Sequence, residues 1–189
     1  MGQVLVVEPA RATAGAGWVQ RWVVMAEAIC ARAGRLGAAG VAVRLFVPGT
    51  GGPAGAAPVV DAVEVFSNLL AEQCELLQSR VRQGPRVLAD RSRRGVLVGD
   101  LVREERWPVF RATAAARYGL AAAHVEPLTF RAGPTLGSVA WYTDRAAGFG
   151  ARTAVARRRD HAATVTVAML HATRTGRSAE VPPPGHTWT

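Results

Sequence analysis

The pair His124 and Glu126 is the part of this sequence that comes nearest to acid–base chemistry. The two residues lie two positions apart in the segment 121–130, whose apolar and β-branched residues predict a strand. Side chains two apart on a strand point to the same face, so the imidazole and the carboxylate are expected to lie side by side. Such a couple can bind a polar ligand, hold a proton or act as general acid and base. The alternative is an ion pair without chemistry.

Metal binding is not predicted. His124 and Glu126 are two candidate ligands, whereas a metal site generally needs three or four. His161 and His171 lie ten positions apart on a predicted helix, so they do not share the i, i+4 face of a helical metal site. The sequence identifies no cofactor.

Three large aromatic residues, Trp107, Phe110 and Trp141, are candidates for the apolar wall of a binding site. Trp141 and Tyr142 are neighbours on a predicted strand, so they point to opposite faces, and only one of them can face the same pocket. For each aromatic residue the alternative role is packing in the core.

Arg86 and Asp100 are the remaining candidate ligand-binding residues. Arg86 follows Gly84-Pro85, a pair that ends a helix. A guanidinium at the mouth of a pocket favours an anionic ligand, and a solvated arginine is the alternative. Asp100 ends a predicted strand, and we expect it to orient Arg86 or to cap the next helix.

The pattern of apolar residues predicts an α+β domain whose antiparallel sheet is covered on both faces. Residues 1–17 are predicted to be a flexible lead-in, in which 4–7 is a short strand or frayed. Residues 174–189 contain three consecutive prolines and are predicted to be a disordered tail. The segment 48–58 is predicted to be a loop, and 131–134 a hairpin turn. The predicted helices are 18–36, 66–77, 104–118 and 152–173, with a turn or helix at 87–91; the predicted strands are 41–47, 59–65, 96–98, 121–130 and 136–142.

Composition fits one globular domain. A chain of 189 residues can bury a sizeable core without disulfides. Cys30 and Cys74 are the only cysteines, and both fall in helical patterns, so we expect buried free thiols in a cytoplasmic protein. No secretory signal pattern and no apolar run near the ~18 residues of a membrane span is visible.

The net charge of +9 raises the question of a nucleic-acid partner. All 23 basic residues are arginine, and they are spread along the chain with short clusters at 91–94 and 157–159. No aromatic residues are interleaved with these clusters, and no helix-turn-helix or zinc-finger pattern is present. A solvated arginine surface is therefore favoured over nucleic-acid binding.

Five short motifs follow one another between residues 84 and 142. They are Gly84-Pro85, the strand G-V-L-V-G-D-L at 95–101, W-P-V-F at 107–110, Pro127-Leu128, and the strand L-G-S-V-A-W-Y at 136–142. Their order and spacing resemble the second half of a GAF domain of the high-GC bacterial type, as in the sensory half of GAF/ANTAR regulators. The match is best over 59–149 and loose over 18–47.

The resemblance implies a GAF-like central antiparallel sheet of five or six strands flanked by helices on both faces, which agrees with the pattern above. It also implies that the helices 18–36 and 152–173 pack on one face and form a dimer contact. The pocket is expected on the other face, beneath 86–110. Many relatives carry cysteine where this chain has Arg86, so no thiol chemistry is expected. The implied site comprises Arg86, Asp100, Trp107, Phe110, His124, Glu126 and Trp141.

Three functional hypotheses follow. GAF domains are small-molecule sensing modules, so the first is a sensory domain in signal transduction or transcription regulation. Related chains often continue into an output module, whereas this sequence stops soon after its last predicted helix, so signalling is expected through a partner protein or a homodimer. The second is a stand-alone enzyme, of secondary metabolism for example, with His124 and Glu126 as the acid–base pair. The third is a ligand-free interaction scaffold whose pocket is filled by its own side chains.

Overall fold

The fold is built on one six-stranded antiparallel sheet with the strand order β1-β3-β2-β6-β5-β4. The computed structural model describes residues 5–7, 16–47, 61–129, 135–149 and 152–177. The loop predicted at 48–58, the turn predicted at 131–134 and residues 178–189 of the predicted tail lie outside these ranges. The strands are β1 (Leu5–Val7), β2 (Gly40–Val47), β3 (Asp61–Phe66), β4 (Val96–Val98), β5 (Ala122–Thr129) and β6 (Thr135–Thr143).

In the part of the chain that the structure describes, five helices cover the two faces of this sheet. Helices α1 and α5 pack on one face, here called the α1/α5 face, and α2, α3 and α4 pack on the other, the α2–α4 face. The α+β architecture with helices on both faces is therefore confirmed. The helices are α1 (Ala16–Gly34), α2 (Leu69–Val81), α3 (Pro85–Ser92), α4 (Pro108–Tyr118) and α5 (Arg152–Arg177).

Alternation along the strands divides the core between the two faces. On β2, Val41, Val43 and Leu45 lie in the apolar cluster of the α1/α5 face, while Ala42 lies in that of the α2–α4 face. The same rule separates neighbours on β6, where Trp141 and Tyr142 are both fully buried, one in each cluster. Since both faces are covered, both neighbours belong to the core, and neither is free for solvent.

Helix α4 begins later than the predicted residue 104. Trp107 is its N-cap and Pro108 its first residue, a position that suits proline because the first helical N–H needs no partner. Glu104 lies before the helix and accepts hydrogen bonds from the backbone and the side chain of Arg106. These local bonds hold a turn there instead of a first helical turn. Gly119 ends the helix in a left-handed conformation, as its sequence position predicts.

The two ends of the chain also differ in part from the predictions. Within the predicted lead-in, β1 pairs with β3, so the strand alternative holds for Leu5–Val7. Helix α5 continues to Arg177, into the segment predicted as tail, because the prolines that would stop it begin only at Pro182.

Both cysteines are buried and free, as predicted. Cys30 lies in the cluster of the α1/α5 face and Cys74 in that of the α2–α4 face, so the sheet separates them. Among the described helices, none is long and apolar enough to cross a membrane.

Candidate functional site

The residues predicted to form one site lie on opposite faces of the sheet. Trp107 and Phe110 belong to the core of the α2–α4 face. His124 pairs with Trp141 across β5 and β6, and Trp141 belongs to the core of the α1/α5 face. The prediction that these residues share one pocket is therefore wrong. The alternation along β5 sends Ala123 and Val125 to one face and His124 and Glu126 to the other.

The α2–α4 face, where the GAF resemblance places the ligand, contains a buried polar cluster. The hydroxyl of Tyr142 donates to Oε1 of Glu75 at 2.5 Å, and Nε2 of Gln78 donates to the same hydroxyl at 2.8 Å. The guanidinium of Arg86 forms a close ion pair with Glu75 and a second one, at 3.1 Å, with Asp90. These contacts tie α2 and α3 to the central strand β6.

Arg86 is therefore a core residue, not a cation at a pocket mouth, and that prediction is wrong. Its exposed fraction is 4%, and its NH2 group also donates to Ser79 at 2.8 Å. Burial opposes the charge of Arg86, but the carboxylates of Glu75 and Asp90 outweigh it and raise the pKa of the guanidinium. Paired in this way, Arg86 offers no free charge to an anionic ligand.

The Gly84-Pro85 motif has a local structural reason. Gly84 adopts φ +128, and a Cβ at this position would overlap the side chain of Gln78. That side chain accepts a hydrogen bond from the backbone N–H of Arg86 at 2.8 Å, at the start of α3. The motif thus closes the junction between α2 and α3 over the polar cluster.

Asp100 does not contact Arg86, so the prediction that it orients this arginine is wrong. Its Oδ1 accepts from the backbone N–H of Val102 at 2.9 Å, and its Oδ2 pairs with Arg103 at 3.4 Å. Both contacts lie in the exposed segment between β4 and α4. Asp100 stabilises a local turn there.

Trp107 and Phe110 pack as core side chains, with exposed fractions of 7% and 0%. The guanidinium of Arg106 lies 4.4 Å above the ring of Trp107 and covers its outer side. These rings and the polar cluster are buried side chains in the region beneath 86–110 that the GAF resemblance assigns to a ligand.

On the α1/α5 face, His124 and Glu126 lie side by side, with 2.8 Å between Nε2 and Oε1. Nε of Arg158 donates to Nδ1 of His124 at 2.7 Å. Because Nδ1 accepts this bond, the proton of a neutral imidazole lies on Nε2 and points to Glu126. Nε of Arg159 donates to Glu126 as well, at 2.9 Å. Both ring nitrogens are thus occupied.

The charges around Glu126 keep it ionised. Burial favours the neutral carboxyl, but hydrogen bonds from His124 and Arg159 outweigh burial and lower the pKa of Glu126. Its carboxylate lies over Gly95 at the sheet edge, where a Cβ would overlap it. The glycine that opens the 95–101 motif therefore makes room for this carboxylate.

Arg158 is the centre of this polar group and was not predicted from the sequence, which showed it only as part of an arginine cluster. Its exposed fraction is 1%, and its NH1 and NH2 groups donate to the carbonyls of Leu36, at 3.4 Å, and Phe149, at 3.2 Å. Its guanidinium also lies 4.3 Å from the ring centre of Phe149. It links α5 to the segment that follows α1 and to β5.

A cavity of about 240 Å³ opens between α1 and α5. On α1 its wall has the i, i+3, i+4, i+7 spacing of one helical face, and on α5 the i, i+3, i+4 spacing. Several lining residues are exposed, so the cavity is open to solvent. We call it the helix groove; it is lined by Met25, Ala28, Ile29, Arg32, His161, Thr164 and Val165.

Among the polar residues that line the helix groove, His161 is buried, whereas Arg32 and Thr164 are exposed. Its exposed fraction is 7%, and its Nε2 atom has no hydrogen-bond partner among the described residues. Its ring meets Trp141 edge-on, with 6.3 Å between centroids. From the sequence, His161 was considered only as a metal ligand. The i, i+3, i+4 spacing of His161, Thr164 and Val165, which places them on one face of α5, is the local pattern that could have indicated this wall of the groove. In the described part of the chain, no three His, Cys, Asp or Glu side chains form a metal-binding group.

No protein-family model and no curated protein sequence matches the chain. Solved structures of similar fold do match, at low sequence identity. A domain assigned to a two-component sensor histidine kinase of Sinorhizobium meliloti 1021 has a TM-score of 0.55 at 15% identity, covering 89% of this chain and 100% of that one. GAF3 of Synechocystis sp. PCC6803, in its photoproduct state, has a TM-score of 0.55 at 14% identity, covering 85% and 99%.

A third similar structure is the GAF domain region of a protein assigned to the membrane of Geobacter sulfurreducens PCA. Its TM-score is 0.52 at 14% identity, covering 80% of this chain and 94% of that one. These similarities establish that the chain has a GAF-like fold, and they confirm the resemblance found in the motifs.

Proposed function

We propose that this chain is a GAF-like sensory domain that binds a small molecule in the helix groove and responds through the α1/α5 helix layer. The observation that carries the proposal is the groove itself: an open, largely apolar cavity whose wall also includes the polar residues Arg32, His161 and Thr164. Concave apolar sites with a few convergent polar groups are the usual form of ligand sites. The similar folds of sensor proteins support the sensory role.

A molecule bound in the groove would be connected to the sheet through the contacts of His161. His161 contacts Trp141, and the indole Nε1 of Trp141 donates to the carbonyl of Ala33 on α1 at 3.1 Å. The ring of Trp141 also stacks on His124, with 5.7 Å between centroids. A molecule that moves His161 would therefore act on contacts that join α1, α5 and β6.

Association with a second copy or with a partner protein belongs to the same proposal. Val24 on α1 and Val167 on α5 have exposed fractions of 53% and 56%, which gives the helix layer apolar surface beside the groove. We propose that ligand occupancy changes how this layer associates. Light scattering at micromolar concentration, with and without ligand, measures this directly, and a monomer in both states would contradict it.

The enzyme hypothesis receives less support from the geometry. His124 has an exposed fraction of 1%, and both of its nitrogens are bonded to side chains of this chain. A general base must reach the proton that it abstracts. The groove is lined by His161 and not by His124.

A ligand-free interaction scaffold is the second candidate. The buried cluster of Glu75, Gln78, Arg86 and Tyr142 favours it, because these side chains bond to one another in the region where the GAF resemblance places a ligand. A scaffold needs no ligand in the helix groove either.

Mass spectrometry of the purified chain under native and denaturing conditions separates the two candidates. The sensory proposal predicts a small molecule that is present in the native mass and lost on denaturation, either co-purified or captured from a metabolite mixture. The same mass in both conditions, after exposure to such a mixture, would favour the scaffold.

A further inference from the structure

The hydrogen bond between Arg158 and His124 joins helix α5 to the sheet, and it depends on the protonation state of the imidazole. We infer that uptake of a proton by His124 releases Arg158 and loosens the N-terminal part of α5, so that Arg158 is an acid-sensitive latch on the α1/α5 helix layer. The inference concerns α5 itself and holds whether or not a molecule occupies the helix groove.

Arg158 determines which form of His124 fits the folded structure. A guanidinium has only donors and stays protonated in proteins, so the 2.7 Å contact between Nε of Arg158 and Nδ1 of His124 requires a lone pair on Nδ1. An imidazolium carries hydrogen on both nitrogens and has no such lone pair. A second proton on His124 therefore removes the acceptor. It also places two cations against each other where both residues are only 1% exposed.

The side chain of Arg158 connects three other segments of the chain to α5. Besides His124 on β5, it donates to the carbonyl of Phe149, between β6 and α5, at 3.2 Å, and to that of Leu36, after α1, at 3.4 Å. Because the guanidinium is a rigid plane, a movement that ends the bond at Nε also moves the NH1 and NH2 groups. Release from His124 is therefore expected to weaken the contacts with both carbonyls.

The charged groups around His124 decide which of the two cations leaves. Glu126, on β5, is ionised and accepts at 2.8 Å from Nε2 of the imidazole, a bond that an imidazolium keeps. Arg159, on α5, is bonded to the same carboxylate at 2.9 Å, whereas Arg158 is bonded to neutral acceptors. On the neighbouring strand β4, Leu97 pairs with His124 and brings no charge. The imidazolium is thus held by a carboxylate, and Arg158 is the cation that is expected to leave.

A second histidine lies close to the latch. His161 follows Arg158 by three positions on the same face of α5 and lines the helix groove. It contacts Trp141, the same indole that stacks on His124. The positive charges that act on His161 from α1 and the segment after it are those of Arg32 and Arg35. A test of the latch must therefore separate the two histidines.

One titration of the whole chain follows His124 and α5 together, between pH 8 and pH 5, where histidine side chains usually titrate. Ring ¹⁵N shifts report protonation of His124. Hydrogen exchange measured by mass spectrometry, corrected for the intrinsic exchange rates, reports protection of the α5 amides. Protonation is expected to lower this protection about tenfold or more, the effect of losing one hydrogen bond to a charged group. The two transitions are expected to share a midpoint, while α2 stays protected.

Two results of this titration would each overturn the inference. The first is protonation of His124 with no change in the protection of α5. The second is an imidazole that stays neutral until α2 loses protection as well, because α5 would then be released only by unfolding of the whole domain.

Two variants with one matched control assign the effect to the latch. His124→Asn places an amide oxygen near the position of Nδ1 and does not titrate, so α5 is expected to stay protected down to pH 5. Arg158→Met removes the donor, so α5 is expected to be about tenfold less protected already at pH 8. Arg157→Met is the control, because Arg157 is the preceding arginine and is exposed. It is expected to behave as the wild type does, and equal effects of R157M and R158M would overturn the inference.

His161→Phe separates the two histidines. The variant keeps the latch, so α5 is expected to lose protection with the same midpoint as in the wild type. Loss of protection that disappears in H161F and persists in H124N would assign the effect to His161 and overturn the inference. The wild-type titration remains decisive if either variant does not fold.

Discussion

Trp141 and Tyr142 are consecutive residues of β6 whose side chains form hydrogen bonds with different helices on opposite faces of the sheet. The indole of Trp141 donates to the carbonyl of Ala33 on α1, at 3.1 Å. The hydroxyl of Tyr142 donates to Glu75 on α2, at 2.5 Å. Both side chains are fully buried. These two neighbouring residues therefore connect the α1/α5 helix layer, which contains the groove, to the polar cluster on the other face of the sheet.

The Tyr142 hydroxyl is expected to be important for stability. Tyr142→Phe leaves Oε1 of Glu75 and Nε2 of Gln78 without their partner in a dry environment. Leaving buried polar groups unsatisfied costs about 1–3 kcal/mol. Urea denaturation of Y142F measures the change in the free energy of unfolding. Tyr118→Phe is the matched control, since Tyr118 is the other tyrosine of the chain and is only half-buried. Equal stabilities of the two variants would contradict the cluster's role.

The ion pair of Arg86 and Glu75 is expected to be strongly coupled. Arg86→Met leaves Glu75 as a buried charge without its cation, a change that costs about 3–5 kcal/mol. Adding Glu75→Gln is expected to restore part of that loss, because the uncompensated charge is then gone. A double-mutant cycle gives the coupling energy. Arg103→Gln is the control, because the Arg103–Asp100 pair is exposed and worth little. Additive effects of R86M and E75Q would disprove the coupling.

The stability of the fold is expected to fall as the pH falls below the ordinary histidine range. Burial, aided by the charges of Arg32 and Arg35, lowers the pKa of His161 from its ordinary value of 6.5. Below pH 6.5 the unfolded chain therefore binds a proton that the folded chain does not, so the free energy of unfolding decreases until the folded pKa is passed.

Comparison of the wild type with His161→Phe isolates this contribution. Urea midpoints measured between pH 7.5 and pH 5 are expected to fall less steeply in H161F than in the wild type, over the range just below about pH 6.5. Parallel curves for the two proteins would show that His161 does not titrate differently in the folded and unfolded chains.

The two thiols are expected to be unreactive in the folded protein. Burial raises the pKa of Cys30 to about 11, and burial followed by the charge of Glu75 raises that of Cys74 further. Since the thiolate is the reactive form, iodoacetamide at pH 8 is expected to label neither residue until denaturant is added. Mass spectrometry counts the labels. Rapid labelling of Cys74 in the native state would mean that the α2–α4 face opens.

The sequence predicted the architecture well because strands and helices leave a local periodic signal. Val41, Val43 and Leu45 alternate with other residues along β2, and one face of α1 carries apolar residues at helical spacing. The start of α4 was missed because the proline at position 108 outweighs the acidic residues before it. The fold could thus be predicted from patterns among residues that are close together in the sequence.

The site could not be predicted in the same way, because it depends on which face of the sheet each element covers. Alternation along β5 places His124 and Glu126 together, but it does not say whether α5 or α4 lies above them. Arg86 finds its partner Glu75 on a preceding helix, and no local pattern marks that ion pair. His161 is a candidate because α1 and α5 together form the groove that it lines, and that arrangement is tertiary.

Chemical-shift mapping with the molecule found by native mass spectrometry tests the central claim most directly, because amide shifts report on both faces of the sheet at once. Amide spectra of the ¹⁵N-labelled chain are recorded during a titration. We predict shifts concentrated at Ile29, Arg32 and Val165, with the amides of Trp107 and Phe110 unchanged. Shifts concentrated on the α2–α4 face, or no shifts at a millimolar concentration of that molecule, would contradict a ligand site in the helix groove.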